Sequence, residues 1–177
     1  MANTTITCPI PANINPLSPN GFMFSISKLP QMTYFCQQVN LPGITLGAPE
    51  FGNPFQTQPI PGESLTYDQL TVQFLVDESM ANYISIYNWL VALGFPQGYD
   101  QYISFVGSDN TNYSELAKNY SDATLQILGS NNQAIKTVQF NDLFPVSIDS
   151  VMFSGTNTDV QYLVGNATFR YGYYKFL

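Results

Sequence analysis

Apolar and polar residues alternate with period two in several short stretches of this chain, and with helical spacing in one. Phe22, Phe24 and Ile26 share one side of a predicted strand over 21–27, with Met23, Ser25 and Ser27 on the other. Leu29-Pro30-Gln31 reads as a turn, and 33–39 as a second strand that partners the first in a hairpin. Leu70, Val72, Phe74 and Val76 alternate with Thr71 and Gln73. Later, Ala123, Leu125 and Ile127 alternate with Thr124 and Gln126. Gly129-Ser130-Asn131-Asn132 then turns the chain, and 134–140 returns antiparallel. Leu143-Phe144-Pro145-Val146 leads into a run over 148–152. After Gly155-Thr156-Asn157, a last strand sets Ala167, Phe169 and Tyr171 against Thr168 and Arg170.

The helical stretch covers 77–93. Asp77 can accept from the N–H groups of a first turn, and Glu78 complements the helix dipole. Met80, Tyr83, Ile84, Tyr87, Leu90 and Val91 follow helical spacing, with Trp89 among them, and Gly94 and Pro96 stop the helix. Met80, Tyr83, Ile84, Tyr87 and Trp89 are therefore the expected packing residues. Residues 95–121 are poorly patterned apart from the short apolar run 102–106. About seven or eight strands and one helix imply a mainly β fold: an antiparallel β-barrel or two-sheet sandwich with one flanking helix.

Two segments stand outside this pattern. Residues 1–20 form a Pro/Asn-rich arm, in which Pro9, Pro11, Pro16 and Pro19 exclude helix. A frayed terminus and a docking arm both fit it. Residues 21–177 form the single β domain. Within it, 43–63 is a long, Pro/Gly-punctuated, apolar loop. Long loops inside compact domains are functional or disordered, and low charge with abundant Phe, Ile and Leu argues against disorder. Gly52-Asn53-Pro54 suits a hairpin tip, with 44–46 and 55–60 as its two limbs. Such an arm exposes strand edges that pair with neighbouring chains. Ile44, Leu46, Phe51, Pro54, Phe55 and Ile60 are the candidate subunit-interface residues.

Composition sharpens the picture. Of 177 residues, only 10% are charged, while 45% are apolar and 15% aromatic; a typical soluble domain has about 25% charged residues. Burial against other subunits explains the deficit; a surface solvated by Asn, Gln, Ser and Thr does so equally. The net charge is −7, and the basic residues Lys28, Lys118, Lys136, Arg170 and Lys175 form no cluster. Nucleic-acid binding through counterion release needs several phosphate contacts, so specific DNA or RNA binding is not expected. Cys8 and Cys36 have neither metal nor redox spacing; free thiols are the default reading, and a disulfide between them stays open. The N-terminus lacks the basic start and apolar core of a signal peptide, and no stretch reaches the roughly 20 apolar residues of a membrane span. The sequons at Asn112, Asn119 and Asn166 then have no route to glycosylation.

No histidine is present, which excludes a Ser-His-Asp or Cys-His centre and the commonest metal ligand. The glycines of 41–63 lack the following Lys-Ser/Thr of a phosphate loop. Asp77 and Glu78 leave a carboxylate pair formally open, but capping is the better role at a helix start. The chain is expected to be no enzyme and to hold no cofactor and no metal. Trp89 with the tyrosines of its helix could form a sugar-stacking platform; core packing is the stronger reading.

In this order the elements resemble the tail tube proteins of contractile-tailed, T4-like bacteriophages. The matching residues are 20–26, Phe35-Cys36-Gln37, Leu41-Pro42-Gly43-Ile44 with the long loop, Pro61-Gly62-Glu63, Thr66-Tyr67-Asp68, Leu70-Thr71-Val72, and Asp77-Glu78 opening the helix to Trp89. Leu143-Phe144-Pro145 and 160–171 continue the match, while 1–19 and 95–121 fall outside it. The resemblance implies a homo-oligomer: a hexameric ring, stacked with others into a tube in the tail of the virion, assembled in the host cytoplasm with tail sheath and baseplate proteins. It implies that the long loop engages neighbouring subunits. DNA would pass the lumen without specific binding, and acidic copies would line it; at physiological salt that repulsion reaches about 8 Å. A baseplate tail tube initiator of the same fold is the alternative, and a carbohydrate-binding β-sandwich the remote one.

Overall fold

A computed structural model describes residues 14–52, 55–106, 119–156 and 161–177. Eleven strands and three helices are present among them. They are β1 (Phe22–Ile26), α1 (Met32–Phe35), β2 (Cys36–Val39), β3 (Ile44–Leu46), β4 (Glu50–Gly52), β5 (Thr57–Pro59), β6 (Leu65–Tyr67) and β7 (Leu70–Leu75). After these come α2 (Ala81–Gly94), α3 (Asp100–Val106), β8 (Ser121–Leu128), β9 (Ala134–Ile148), β10 (Val164–Arg170) and β11 (Tyr173–Phe176).

Two antiparallel sheets share the 15-residue strand β9. Its first part pairs with β8, which pairs with β1; β11 lies on its other side. Its second part pairs with β10, followed by β7 and β2. The strand turns from one sheet to the other at Asp142, whose φ is 57°. There Gly172 donates to the Asn141 carbonyl at 2.9 Å. β1 and β2 end the path, so the sheets form a sandwich and no closed barrel.

Alternation places Phe24, Ile26, Ala123, Leu125, Val138 and Phe140 on the inner face of one sheet. Leu70, Val72, Phe74, Ala167 and Phe169 form the inner face of the other. These residues make one core, as the strand periodicity predicts. The outer rows are mostly hydroxyls and amides. Ser25, Thr124, Gln139 and Lys175 stand in register across the first sheet. On the second, Thr71 pairs with Thr168 and Gln73 with Asn166.

The structure corrects several expectations. Residues 32–35 are a helical turn with Met32 fully buried, and β2 pairs with β7 instead of β1. The run 102–106 belongs to α3. Residues 143–148 continue β9, while Met152 is exposed in the loop beyond. Residues Tyr173–Phe176 form a further strand, β11, which pairs with β9. The proposed arm 1–20 is irregular and exposed over 14–20; 1–13 lie outside the described residues.

Helix α2 starts at Ala81, not Asp77, after Met80 at φ 54°. The Asp77 carboxylate accepts from the Ser79 hydroxyl instead of from the first turn. Asn82 performs the capping role. Its Oδ1 accepts from the backbone N–H of Asp77 at 3.3 Å and of Tyr83 at 2.8 Å, and its Nδ2 donates to the Leu75 carbonyl at 2.7 Å. This buried amide ties the end of β7 to α2, because each backbone group would otherwise be buried unpaired. The inward face is Asn82, Ile86, Trp89 and Ala92. Tyr83 packs at its margin, Met80 is half-buried, and Ile84 and Tyr87 are exposed. The expected packing set is thus right for Trp89 and rotated for Ile84 and Tyr87.

Candidate assembly interface

The segment between β2 and β7 leaves the sandwich as one long β-hairpin arm. Near the body Ile44 pairs with Tyr67, Thr45 with Thr66 and Leu46 with Leu65. Farther out Glu50 pairs with Pro59, Phe51 with Gln58 and Gly52 with Thr57. Between these ladders the return limb carries two extra residues. Gly47 donates to the Ser64 carbonyl at 3.0 Å, and Gly62 donates to the Gly47 carbonyl at 2.7 Å. A Cβ at Gly62 would overlap that carbonyl, so only glycine fits this crossing. Gly52 ends the outer ladder opposite Thr57, and Asn53 and Pro54, the rest of the expected tip, lie outside the described residues. The limbs differ from expectation: 44–46 pair with 65–67, and 55–60 pair only with the distal limb.

Gly62→Val is expected to disrupt the crossing and redirect the outer ladder. Thermal unfolding of the monomer should shift by no more than 1–2 °C, because Gly62 contributes nothing to the core, while assembly falls at least tenfold. Circular-dichroism melting and sedimentation velocity measure the two effects separately.

Among the described residues the arm's apolar side chains are only partly covered. Ile44, Leu46, Phe51, Leu65 and Ile60 are exposed, and Phe55 is 96% exposed. All described candidate interface residues therefore lie on the arm, Ile44 and Leu46 near its root and Phe51, Phe55 and Ile60 towards its end. Pro54 lies outside the described residues.

Several residues that sequence reasoning missed fix the root. Asn40 bridges the strand ends: Nδ2 donates to the Gln69 carbonyl at 3.0 Å, and Oδ1 accepts from the Thr71 N–H at 2.6 Å. Tyr174 donates from its hydroxyl to the Pro42 carbonyl at 3.1 Å. Tyr67 lies 5.9 Å from Tyr171 and 5.7 Å from Tyr174, ring to ring, and Phe140 lies 5.1 Å from Tyr171. Edge-to-face contacts of this kind contribute about 0.5–1.5 kcal/mol each beyond their burial. They hold the arm at one angle to the sandwich.

Burial pushes the Tyr171 phenol up to about 12, with Tyr174, Asp68 and Tyr67 adding to the shift. The folded state therefore favours the neutral phenol. Its stabilisation is complete below the ordinary value of 10.0 and disappears as pH rises from there towards 12. Melting temperature should decline across that window, and Tyr171→Phe should flatten the decline.

Elsewhere the structure offers little chemistry. Among the described residues no three His, Cys, Asp or Glu side chains are grouped to hold a metal ion, and no helix is long and apolar enough to cross a membrane. Cys36 is a free thiol, pushed up to about 11 by burial. Trp89 is buried, which removes the sugar-stacking platform. Its Nε1 donates to the Asn119 carbonyl at 3.2 Å, and its ring lies against Phe169.

A family profile described as phage tail tube protein matches residues 5–177. The chain belongs to the phage tail tube protein family. The resemblance read from the order of its elements is thereby confirmed, and this tail tube protein is a structural component of the virion's tail. It is 27% identical over 147 residues to the tail tube terminator protein of Enterobacteria phage T4, covering 81% of this chain and 77% of that protein. Two solved structures share its fold. One is the baseplate of the anti-feeding prophage, with TM-score 0.61, 12% identity, and coverage of 92% of this chain and 96% of the other. The other is the tube-terminating cap of the same prophage, with TM-score 0.61, 14% identity, and coverage of 100% and 99%.

Proposed function

We propose that this tail tube protein forms a hexameric ring of a contractile phage tail, and that its ring ends the tube. The likeness to the T4 terminator, over 81% of the chain, supports the terminal position. The exposed apolar arm supports ring contacts through docking on neighbouring copies. A repeating tube subunit is the second reading, favoured by the description of the family itself; a baseplate initiator would share the same ring.

The role is mechanical and needs no catalytic step, cofactor or metal. The ring assembles in the host cytoplasm and meets sheath and baseplate proteins within the tail. DNA passes its lumen without specific contacts. The outer rows of Ser, Thr, Gln and Asn offer phosphate no run of cations. With a net charge of −7 per copy, a ring of such chains is acidic overall and offers DNA phosphate no attraction.

Copy number per virion, measured by quantitative mass spectrometry, tests the position. Six copies support a terminal ring; many multiples of six establish the repeating subunit. Immunogold labelling then separates the ends: label at the tube end away from the baseplate supports the terminator, and label at the baseplate overturns it.

A further inference from the structure

The arm joins the sandwich through two short crossings, 40–43 on the way out and 67–70 on the way back. Asn40 ties the strand ends beneath them, and the Asp68 N–H donates to the Gly43 carbonyl at 3.1 Å. These ties hold the two limbs to each other. A two-stranded ribbon attached only at its strand ends can still swing about them, so a fixed angle needs contacts from the body to both limbs.

One side chain of β11 makes both contacts. The Tyr174 hydroxyl donates to the carbonyl of Pro42, on the outgoing crossing, at 3.1 Å. Its ring centre lies 5.7 Å from that of Tyr67, the last residue of the return limb's inner strand. On the body side the same ring lies 5.6 Å from Phe140, which is fully buried in the core, and 6.0 Å from Tyr171. Pro42 is buried and its ring fixes one of its two backbone torsions, so the carbonyl that Tyr174 holds sits on a stiff piece of chain. Tyr171 behaves differently. Its hydroxyl is buried with no hydrogen-bond partner among the described residues, so it acts through its ring alone.

We propose that Tyr174 is a positioning residue for assembly: it clamps both limbs and presets the arm, in the free monomer, at the angle at which it docks. An element already in its docking geometry is spared the cost of ordering. Where only a fraction of copies hold the competent geometry, apparent affinity falls by that fraction. The clamp forms before a second copy arrives and touches nothing on it, so it acts on the rate of association and not of dissociation. The effect on assembly rests on the ring-forming reading; the preset angle does not.

Spin labels at Gln58→Cys on β5 and Ser130→Cys in the β8–β9 turn, with both native cysteines changed to serine, report the arm's angle as a distance distribution in dilute, monomeric full-length protein. With Tyr174 in place the distribution should be one narrow peak; a broad one overturns the preset arm. Tyr174→Ala should broaden it and, in stopped-flow light scattering, slow association at least tenfold, with dissociation within about twofold of wild type. Tyr174→Phe keeps the ring contacts and the filled core and loses only the Pro42 bond. Its melting temperature should stay close to wild type, while the peak broadens and association slows about threefold. Tyr171→Phe removes a hydroxyl that holds nothing and should match wild type in both readouts. A narrow peak retained in both Tyr174 variants overturns the clamp. Faster dissociation at an unchanged association rate also overturns it, because Tyr174 would then belong to the contact itself. A narrow peak that broadens in the Tyr174 variants, in a protein that forms no rings, would uphold the preset arm and count against the ring reading alone.

Discussion

Replacing Phe55 and Ile60 together with Asp is expected to abolish assembly and leave the monomer folded. Phe55 is 96% exposed and Ile60 is 45% exposed, so the isolated chain loses no packing with the first and only surface packing with the second. The Ile60 N–H donates to the Pro49 carbonyl at 2.9 Å, a backbone bond that any side chain permits. In a docked arm the two positions become anchors. Full burial of each apolar side chain contributes about 1.5–3 kcal/mol, and anchor residues at interface centres commonly cost 2 kcal/mol or more on truncation. Losing both removes on the order of 4 kcal/mol per contact, roughly a thousandfold in affinity. Two carboxylates in a desolvated site weaken it further, since unpaired charge resists burial. Negative-stain images should show no rings or tubes, while far-ultraviolet circular dichroism and the melting temperature match wild type. Rings from this double variant would show that the arm is not the docking element.

The sandwich was legible wherever a strand has one buried face. Alternation at Leu70, Val72 and Phe74, or at Phe24 and Ile26, reports burial directly, because successive side chains point to opposite faces. The apolar arm was legible for the opposite reason: it breaks both periodicities and carries almost no charge. What stayed hidden depends on long-range pairing. Nothing local distinguishes the helical turn at Met32 from a strand start, since that methionine is buried by β1 and β7 from outside the turn. The bend in β9 is set by Asp142 adopting a left-handed conformation between two sheets; Asn141-Asp142 marks a break in the apolar pattern, but not that one strand continues through it into a second sheet. Asn82 is hidden in another way. A buried amide looks like a surface residue in sequence, and its three bonds reach backbone groups at 75, 77 and 83. That displaced cap moves the helix start by four residues, and the apolar set read from Asp77 then includes Ile84 and Tyr87, which face outward. The arm's root was invisible because Tyr67 meets Tyr171 and Tyr174 more than 100 positions away.

Trp89→Ala is expected to cause the largest loss of stability of any single change in α2. Trp89 is 1% exposed and sits where the helix closes over the sandwich. Its ring centre lies 6.4 Å from that of Phe169 on β10. The Lys28 ammonium stands 5.0 Å from its ring centre, and its Nε1 holds the Asn119 carbonyl just before β8. One side chain therefore joins α2, β10, the β1–α1 turn and the segment entering β8. Truncating a buried Phe or Trp to Ala costs about 3–5 kcal/mol, and here the Asn119 carbonyl also loses its donor. Against a total stability of about 5–15 kcal/mol, such a loss leaves the monomer marginal. Trp89→Phe keeps most of the buried surface and removes the N–H, so about 1–2 kcal/mol should be lost. The ordering Ala well below Phe, and Phe below wild type, is measured by urea unfolding followed by circular dichroism, because the chain's one tryptophan is the residue removed. Equal stabilities for the three proteins would mean that α2 does not seal the core. A Phe variant as unstable as Ala would assign the energy to the Asn119 bond instead of the ring. Because the arm leaves the body on the strand side, both variants should still present an intact arm below their melting temperatures. Assembly should therefore fail with unfolding and not before it, which separates loss of the scaffold from loss of the interface.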